Sequence, residues 1–219
     1  MTDARSEILA RIRTALADVP ASERPEDVAV ERGYRTGEGE TPRQEVLDRF
    51  VRLVEDYRAR VHRTTPSVLR EALETICRAG ELRRLVVPPG LPAGWCPSEV
   101  ELVEDRGLEF SELDAMDGVL SGCAAAIAQT GTIVLDGGAR SGRRAITLLP
   151  DHHLCVVEAE QVVGLVPEGL ARVSAAVHER RAPITLVSGP SATSDIELKR
   201  VEGVHGPRQL EVVLVESSD

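Results

Sequence analysis

Residues 123–128 read CAAAIA, and further apolar runs follow at 132–135 (TIVL), 145–149 (AITLL), 154–159 (LCVVEA), 184–187 (ITLV) and 210–215 (LEVVLV). Most of these runs are rich in β-branched residues and are bounded by Gly, Pro, Ser or Asp, which is the pattern of buried strands. Between them, residues 167–181 have apolar side chains at helical spacing. Because strands alternate with a helix, this half predicts an α/β fold, a layered mixed or parallel sheet flanked by helices.

Two further helices and a strand are predicted upstream. The first has Thr41 as N-cap, Pro42 at the first helical position and Gln44 completing a capping box. Its apolar face is predicted to contain Val46, Phe50, Leu53, Val54, Tyr57 and Val61. The second helix opens at Thr65-Pro66 and stops at Gly80, and a short strand follows at Leu85–Val87. We therefore predict a single α/β domain over residues 41–219.

Residues 1–40 are predicted to form an N-terminal helix and a flexible arm. Ile8, Ile12 and Leu16 give residues 3–17 an amphipathic spacing, and a polar stretch punctuated by Gly and Pro follows. The early acidic residues exclude a signal peptide, and no run approaches 18 apolar residues. The expectation is a soluble, cytoplasmic protein.

Composition excludes several function classes. Of the 26 basic residues only Lys199 is a lysine, so there is no Gly-Lys pair for a phosphate-binding P-loop. Five scattered aromatic residues do not form a stacking platform for single-stranded nucleic acid. A net charge of −10 disfavours a nucleic-acid partner.

The four cysteines stand at 77, 96, 123 and 155, without any C-x-x-C pair. Neither a zinc site nor an iron–sulfur ligand run can be written from them. We expect no metal and no cofactor bound by this chain.

The segment ITLVSGPSATSDIE, residues 184–197, is the most informative candidate site. A strand ends at Val187, and Gly189 permits close backbone approach, so successive amides of the following turn can converge on an anion. Open α/β sheets bind ligands at the carboxyl ends of strands. The alternative is a polar turn whose hydroxyls only cap local structure. The candidate ligand-binding residues here are Ser188, Gly189, Ser191, Thr193, Asp195, Glu197 and, at its edge, Lys199.

Two other segments carry candidates. Gln129-Thr130-Gly131 interrupts two apolar runs, and Gly131 suits a positive φ or a close contact with a ligand. His205 and Gly206 precede the last strand, where a histidine between glycines could serve as a general base or a ligand contact. A plain turn is the alternative for each. Arg140, Arg143 and Arg144 form a basic loop, interpreted as a rim that attracts anions or as a solvated surface.

Three segments taken together resemble the LUD family, the lactate-utilisation domain proteins, and in particular its short members. They are GCAAAIAQTGTIVLDGG, LLPDHHLCVVEAEQVVG and ITLVSGPSATSDIELKRVEGVHGP, in this order over residues 110–216. The resemblance implies the fold of the sugar-phosphate isomerase and coenzyme A transferase superfamily. It also implies a part in oxidising L-lactate to pyruvate together with iron–sulfur partner proteins. Gln129 and Ala192 depart from residues frequent in the family, so activity or substrate could differ.

The leading hypothesis is an accessory component of L-lactate utilisation that binds a small carboxylate or a partner at the Ser188–Glu197 loop. The alternative is a stand-alone enzyme acting on an acyl-CoA or a phosphorylated small molecule, by analogy of fold alone. A third is a scaffold whose arm docks a neighbouring subunit. No catalytic nucleophile is identified, and the candidates for proton transfer are His205, Asp195 and Glu197. The real substrate, the electron acceptor and the oligomeric state, including a homo-oligomer, stay open.

Overall fold

The computed structural model describes residues 3–20, 22–27, 29–31, 33–193, 201–202 and 205–217. The chain divides into two compact units, Met1–Arg35 and Thr36–Asp219. In the first unit, helix α1 (Ala4–Ala15) has its apolar residues Ile8 and Ile12 exposed. No helix in the described part of the chain has the length and apolar character needed to cross a membrane.

The helices of the second unit, within the described residues, are α2 (Arg43–Asp56), α3 (Leu69–Ala79), α4 (Phe110–Asp114) and α5 (Val166–Arg180). The strands there are β1 (Arg60–Thr64), β2 (Arg84–Val87), β3 (Glu101–Glu104), β4 (Gly118–Gly122), β5 (Ala125–Ile127), β6 (Thr132–Leu135), β7 (His152–Glu158), β8 (Val162–Val163), β9 (Thr185–Val187), β10 (Ala192–Thr193), β11 (Val201–Glu202) and β12 (Gln209–Val215).

A six-stranded parallel sheet with the order β1-β12-β7-β4-β2-β3 is the centre of the second unit. Its central strands β7 and β12 are almost entirely buried, because their continuous apolar runs face packed layers on both sides. α3 packs on one face of this sheet, and α2 packs on the other. This mainly parallel sheet with flanking helices confirms the predicted α/β fold class.

A second sheet, with the order β8-β5-β6-β9, shares the core on the α2 side. β5 and β9 both pair antiparallel with β6. Because β9 is the last strand in this order, it is an edge strand. A short antiparallel pair, β10 with β11, follows β9. The chain between β6 and β7, residues 136–151, carries the three arginines of the basic loop.

The region around α2 differs from the sequence prediction. The N-cap is Pro42 rather than Thr41, and the Gln44 side chain donates to Asp48 (3.0 Å) instead of completing a capping box. Val61 lies in β1, not on the helix, because the chain turns at Arg58 with φ 67° and pairs with β12. Val61 continues the helical spacing of the apolar residues of α2 by coincidence, and for this reason the sequence does not reveal β1.

The run AITLL at 145–149 is not a strand but a series of turns. Ile146 is fully buried against Val86 and Val119. The run is apolar because its residues fill the core from a loop, not because they form a strand. The structure also contains a strand that the sequence does not predict, β4. Gly118 and Gly122 stand at its two ends, and glycines in these places resemble the boundaries of a turn.

Candidate functional site

A cavity of about 210 Å³ lies between the large sheet and the edge strand β9. The residues around it come from β7, β9, β12, the turn after β9, the turn before β12 and the β6–β7 connection. They are Arg144, Thr147, His153, Leu186, Val187, Ser188, Gly189, Pro190, Ser191, His205, Gly206, Pro207 and Leu210.

The sequence predicts a site at the carboxyl ends of the strands, and the position of the cavity agrees with this only in part. The Ser188 turn does follow the carboxyl end of a strand, β9, but that strand belongs to the smaller sheet. In the six-stranded parallel sheet, His153 and Leu210 are the second residues of β7 and β12. The cavity therefore lies near the amino ends of the central strands.

The two turns are fastened to each other. The Ser191 N–H donates to the Pro207 carbonyl (2.8 Å), and the His205 N–H donates to Ser191 Oγ (2.9 Å). Gly189 has φ +98°, and a Cβ there would lie 2.6 Å from Tyr57 Cβ, so only glycine lets the turn rest on the end of α2. These contacts connect the two turns and the end of α2 into one wall of the cavity.

A row of hydroxyl groups runs from the cavity toward the β5–β6 turn. Ser188 Oγ lies 2.7 Å from Thr132 Oγ1, which lies 2.7 Å from Thr130 Oγ1. Of the predicted residues, Thr130 therefore reaches the cavity only through Thr132 and Ser188.

The three arginines of the basic loop have different partners. Arg140 Nη1 donates to Glu158 (2.6 Å), and Arg143 forms a two-point contact with Asp105 (2.7 and 3.0 Å). Arg144 donates only to Thr147, to its carbonyl (2.9 Å) and its Oγ1 (3.1 Å), and meets no carboxylate among the described residues. Of the three arginines that the sequence predicts as an anion-attracting rim, only Arg144 has no carboxylate partner among the described residues.

Arg144 is half-buried, and burial lowers the pKa of its guanidinium. Burial thus partly removes water from the cation, and no described acid replaces that water. A Cβ at Gly206 would lie 4.0 Å from Arg144 Nη2, which places the unused nitrogen beside the turn before β12. Arg144 Nη2 therefore has no hydrogen-bond partner among the described residues.

His153, like Thr147, is a buried polar residue of the cavity wall, with 2% of its surface exposed. Its Nε2 lies 2.8 Å from Ser121 Oγ on the neighbouring strand β4. Behind it, hydrogen bonds with Cys123 first, and then with His153 and Ser121, lower the pKa of the Cys155 thiol against the effect of burial. Its register opposite Leu210 puts His153 on the α2 side of the large sheet, where the cavity lies.

A second polar cluster lies on the opposite face of the same strands. Glu211 is 3% exposed and contacts Arg60 Nε (2.7 Å), His62 Nε2 (2.8 Å) and His152 Nε2 (3.3 Å). Burial raises the pKa of the Glu211 carboxyl, but hydrogen bonds with His152, His62 and Arg60 outweigh it and hold the pKa far below its usual range. We call these four residues the Glu211 cluster; the buried Glu211 carboxylate contacts each of the other three.

The structure brings Ser188, Gly189, Ser191, His205 and Gly206 of the predicted site together around one cavity. Thr193 lies in β10, where only the backbone is described. Asp195, Glu197 and Lys199 lie outside the described residues.

Gln129 and Gly131 have structural contacts instead of lining the cavity. Gln129 Oε1 accepts the Val166 N–H (3.2 Å) at the first turn of α5. Gly131 has φ +58°, and a Cβ there would lie 2.7 Å from the Leu53 carbonyl carbon, so it admits α2 at close range. The close contact predicted at Gly131 is with the protein's own helix.

Within the described residues, no group of three or more His, Cys, Asp or Glu side chains is placed to hold a metal ion.

Known proteins resemble the chain over most of its length. The LUD domain model matches residues 103–215. "Lactate utilization protein C" of Deinococcus radiodurans is 48% identical over 174 residues, which cover 79% of this chain and 81% of that protein. A protein of the same printed name from Shouchella clausii is 28% identical over 116 residues, 52% of this chain and only 45% of that protein.

Among solved structures, a DUF162 family protein from Deinococcus radiodurans matches with a TM-score of 0.69 and 39% identity. The match covers 80% of this chain and 98% of that one. Sequence and fold comparisons thus agree on one family, which the three sequence motifs also indicate.

Proposed function

Because this chain belongs to the LUD domain family, we propose that it takes part in lactate utilisation by binding a small carboxylate in the cavity beside Arg144. The names of its relatives suggest the process, and the cavity supplies the chemistry. In this proposal the chain works in the cytoplasm and holds the acid, while iron–sulfur partner proteins receive the two electrons released when L-lactate becomes pyruvate.

The observation that carries the proposal is Arg144. Arg144 is half-buried at the edge of the cavity and meets no acid in the described part of the chain. A guanidinium donates two parallel hydrogen bonds to a carboxylate, and such charge-assisted pairs are the stronger hydrogen bonds of proteins. The hydroxyl groups of Ser188 and Ser191, which line the same cavity, can add neutral donors.

The size of the cavity favours a small acid over the alternative of an acyl-CoA or a sugar phosphate. At about 210 Å³ it is smaller than the roughly 300–1,000 Å³ typical of sites for drug-sized ligands. Its one arginine among the described lining residues suits a single negative charge better than a phosphate dianion.

Calorimetric titration of the purified chain tests the proposal. The panel contains L-lactate, pyruvate, propionate, coenzyme A and a hexose phosphate, each titrated into the wild type, Arg144→Gln and Arg172→Gln. Arg172 is the matched control because it is an exposed arginine of α5 away from the cavity lining. We expect a small carboxylate to bind with a Kd of about 1 mM or lower, and Arg144→Gln to weaken it about tenfold or more.

Growth on L-lactate tests the process. A strain that lacks this gene and any paralogue should grow poorly on L-lactate, and should recover with the wild type or Arg172→Gln but not with Arg144→Gln. Normal growth of the deletion strain, or preferred binding of coenzyme A or the hexose phosphate, contradicts the proposal.

A further inference from the structure

A second cavity lies at the opposite end of the large sheet from the cavity beside Arg144. Its volume is about 340 Å³, within the roughly 300–1,000 Å³ typical of sites for organic ligands. Glu158 and Val215, which border it, are the last residues of β7 and β12. It therefore lies at the carboxyl ends of the central parallel strands, where open α/β sheets usually bind ligands. We call it the Trp95 cavity.

The lining of the Trp95 cavity combines an apolar part with two acids. Leu69, Trp95 and Val215 contribute buried apolar side chains. Glu158 and Glu160 are the charged residues of the lining, and no basic side chain joins them among the described lining residues. An anionic ligand would meet two carboxylates without a counter-charge in the wall. The lining therefore favours a ligand that has a positive charge and an apolar body.

The two acids of the lining differ in their partners. Glu158 accepts a hydrogen bond from Arg140 Nη1 (2.6 Å). Glu160 is exposed and forms no ion pair with the described residues; its Oε1 accepts the Ser217 hydroxyl at 3.4 Å. The charge of Glu160 acts on Arg43, but the Arg43 guanidinium donates its hydrogen bonds to two backbone carbonyls. Glu160 and Ser217 can therefore bind an ammonium group, which has three N–H donors.

The indole N–H of Trp95 is a donor that has no acceptor among the described residues. Trp95 is 7% exposed, and its benzene edge faces Gly122, where an added Cβ would lie 3.1 Å from Cζ3. Arg140 lies over the ring, with Cζ 5.4 Å from the centroid. The Trp95 Nε1 makes no hydrogen bond within the described part of the chain, yet the protein does not enclose it completely. Because buried polar groups nearly always have a partner, an acceptor oxygen of a ligand in the cavity would complete this bond.

We propose that the Trp95 cavity binds an α-ammonium group beside a neutral carbonyl, on a unit with an apolar side chain. Glu160 and Ser217 bind the ammonium, the Trp95 indole N–H donates to the carbonyl oxygen, and Leu69 and Val215 contact the apolar side chain. The amide of an amino acid and the N-terminal residue of a peptide share this chemistry. A free amino acid fits less well, because its carboxylate would face the two acids of the lining.

NMR titration of the isotope-labelled full chain tests the proposal, because Trp95 is the one tryptophan of the sequence and its indole N–H gives a single resonance. The ligand is L-leucinamide, and three analogues each change one group. Isocaproamide lacks the ammonium, isoamylamine lacks the carbonyl, and L-leucine has a carboxylate in place of the amide. We expect L-leucinamide to shift the indole resonance and to bind with a Kd of about 1 mM or lower. Each analogue should bind at least about tenfold more weakly.

Two substitutions separate the two polar contacts. Glu160→Gln should weaken the binding of L-leucinamide about tenfold and leave the Kd of isocaproamide within about twofold, since isocaproamide has no ammonium. Trp95→Phe should weaken L-leucinamide about fivefold and leave isoamylamine within about twofold, since isoamylamine has no carbonyl. Backbone amide resonances report the Kd of the Trp95 variant.

Glu179→Gln is the matched control, because Glu179 is an exposed glutamate of α5 that does not line the cavity. It should bind L-leucinamide as the wild type does. Thermal unfolding of each variant shows which of them are folded. If Trp95→Phe does not fold, the surface variant Glu160→Gln and the indole resonance of the wild type still test the proposal.

The tripeptide Leu-Gly-Gly distinguishes the two sources of this chemistry. Tighter binding of the tripeptide than of L-leucinamide indicates a peptide N-terminus, and tighter binding of L-leucinamide indicates a free amide. Either result supports the proposal.

An indole resonance that does not move at millimolar L-leucinamide overturns the proposal. Equal binding of L-leucinamide and isocaproamide also overturns it, as do equal effects of Glu160→Gln and Glu179→Gln. The two cavities have no lining residue in common in the described part of the chain, so each of these results leaves the carboxylate site beside Arg144 standing.

Discussion

His152 and His153 are adjacent in β7, yet their side chains enter opposite faces of the sheet and different electrostatic surroundings. His152 contacts the buried Glu211, which is also held by Arg60 and His62. His153 borders a cavity in which Arg144 meets no acid among the described residues. The same two strands thus carry a cluster of paired charges on one face and an open site on the other.

The difference separates a structural from a functional use of charge. In the Glu211 cluster each partner offsets the cost of burying the others, so the cluster ties β1, β7 and β12 together. Arg144 bears a desolvation cost that no described acid offsets, and a ligand's carboxylate would offset it. An uncompensated cation beside a cavity is therefore the better guide to binding than the number of charges in a cluster.

The largest expected effect is on the Glu211 cluster. Glu211→Gln removes the buried carboxylate that contacts Arg60, His62 and His152, so we expect the free energy of unfolding to fall by about 3 kcal/mol. Urea unfolding followed by circular dichroism measures it. Glu101→Gln is the control, because Glu101 pairs with Arg84 at the surface of β3. Equal stability of Glu211→Gln and wild type would refute the structural role.

Lowering the pH should reduce the contribution of the Glu211 cluster to the free energy of unfolding over a defined pH range. The folded pKa of Glu211 lies below its ordinary value of 4.5, so its contribution is complete above that pH and is lost as the pH falls below it. Between pH 5 and 3 this amounts to about 2 kcal/mol of unfolding free energy. The stability difference between wild type and Glu211→Gln should therefore shrink over this range; a constant difference would contradict the low pKa.

The next prediction concerns an acid introduced beside Arg144. Thr147 Oγ1 lies 3.1 Å from Arg144 Nη1, so Thr147→Asp would give this arginine the acid it lacks. We expect carboxylate binding to weaken about tenfold, or ~1.4 kcal/mol, without loss of stability. Thr147→Asn has the same shape without the charge and should bind more tightly than Thr147→Asp. Equal binding by the two variants would show that the missing acid does not matter.

Gly206 tests the space in front of Arg144. It has φ +153°, and a methyl group there would lie 4.0 Å from Arg144 Nη2 and 3.7 Å from Ser191 Cβ. Gly206→Ala should therefore weaken the binding of L-lactate about threefold, or ~0.7 kcal/mol, measured by calorimetry. Gly137→Ala is the control for a glycine with positive φ, since nothing lies within 4 Å of its added methyl. Unchanged binding in Gly206→Ala would move the carboxylate away from this turn.

The smallest effect is expected at the rim of the Glu211 cluster. The Arg60 side chain is 58% exposed, so water replaces it readily, and Arg60→Gln should cost less than about 1 kcal/mol of unfolding free energy. A loss as large as that of Glu211→Gln would mean that Arg60, and not the two histidines, is the main partner of Glu211.

The sequence predicts the layered α/β fold because the runs of β7 and β12 are continuous and β-branched. It does not reveal β1, since Val61 continues the spacing of α2 across the turn at Arg58. It places Ser188, Ser191 and His205 in a site because glycine and hydroxyl residues after a strand have a local signature.

Arg144 and His153 have no such signature. Arg140, Arg143 and Arg144 are equivalent in sequence, and only the fold brings Glu158 to the first and Asp105 to the second. His152 and His153 are likewise neighbours whose difference depends on strand register. Pairing between distant segments decides which charge stays uncompensated, and one sequence does not show that pairing.

The most direct test of the central claim is a crystal structure of the chain with L-lactate or pyruvate. We expect the carboxylate to lie on Arg144, beside Gly206 and Ser191. A ligand bound at the carboxyl ends of the strands, near Trp95 and Glu158, would contradict it, as would an empty cavity at a saturating concentration of either acid.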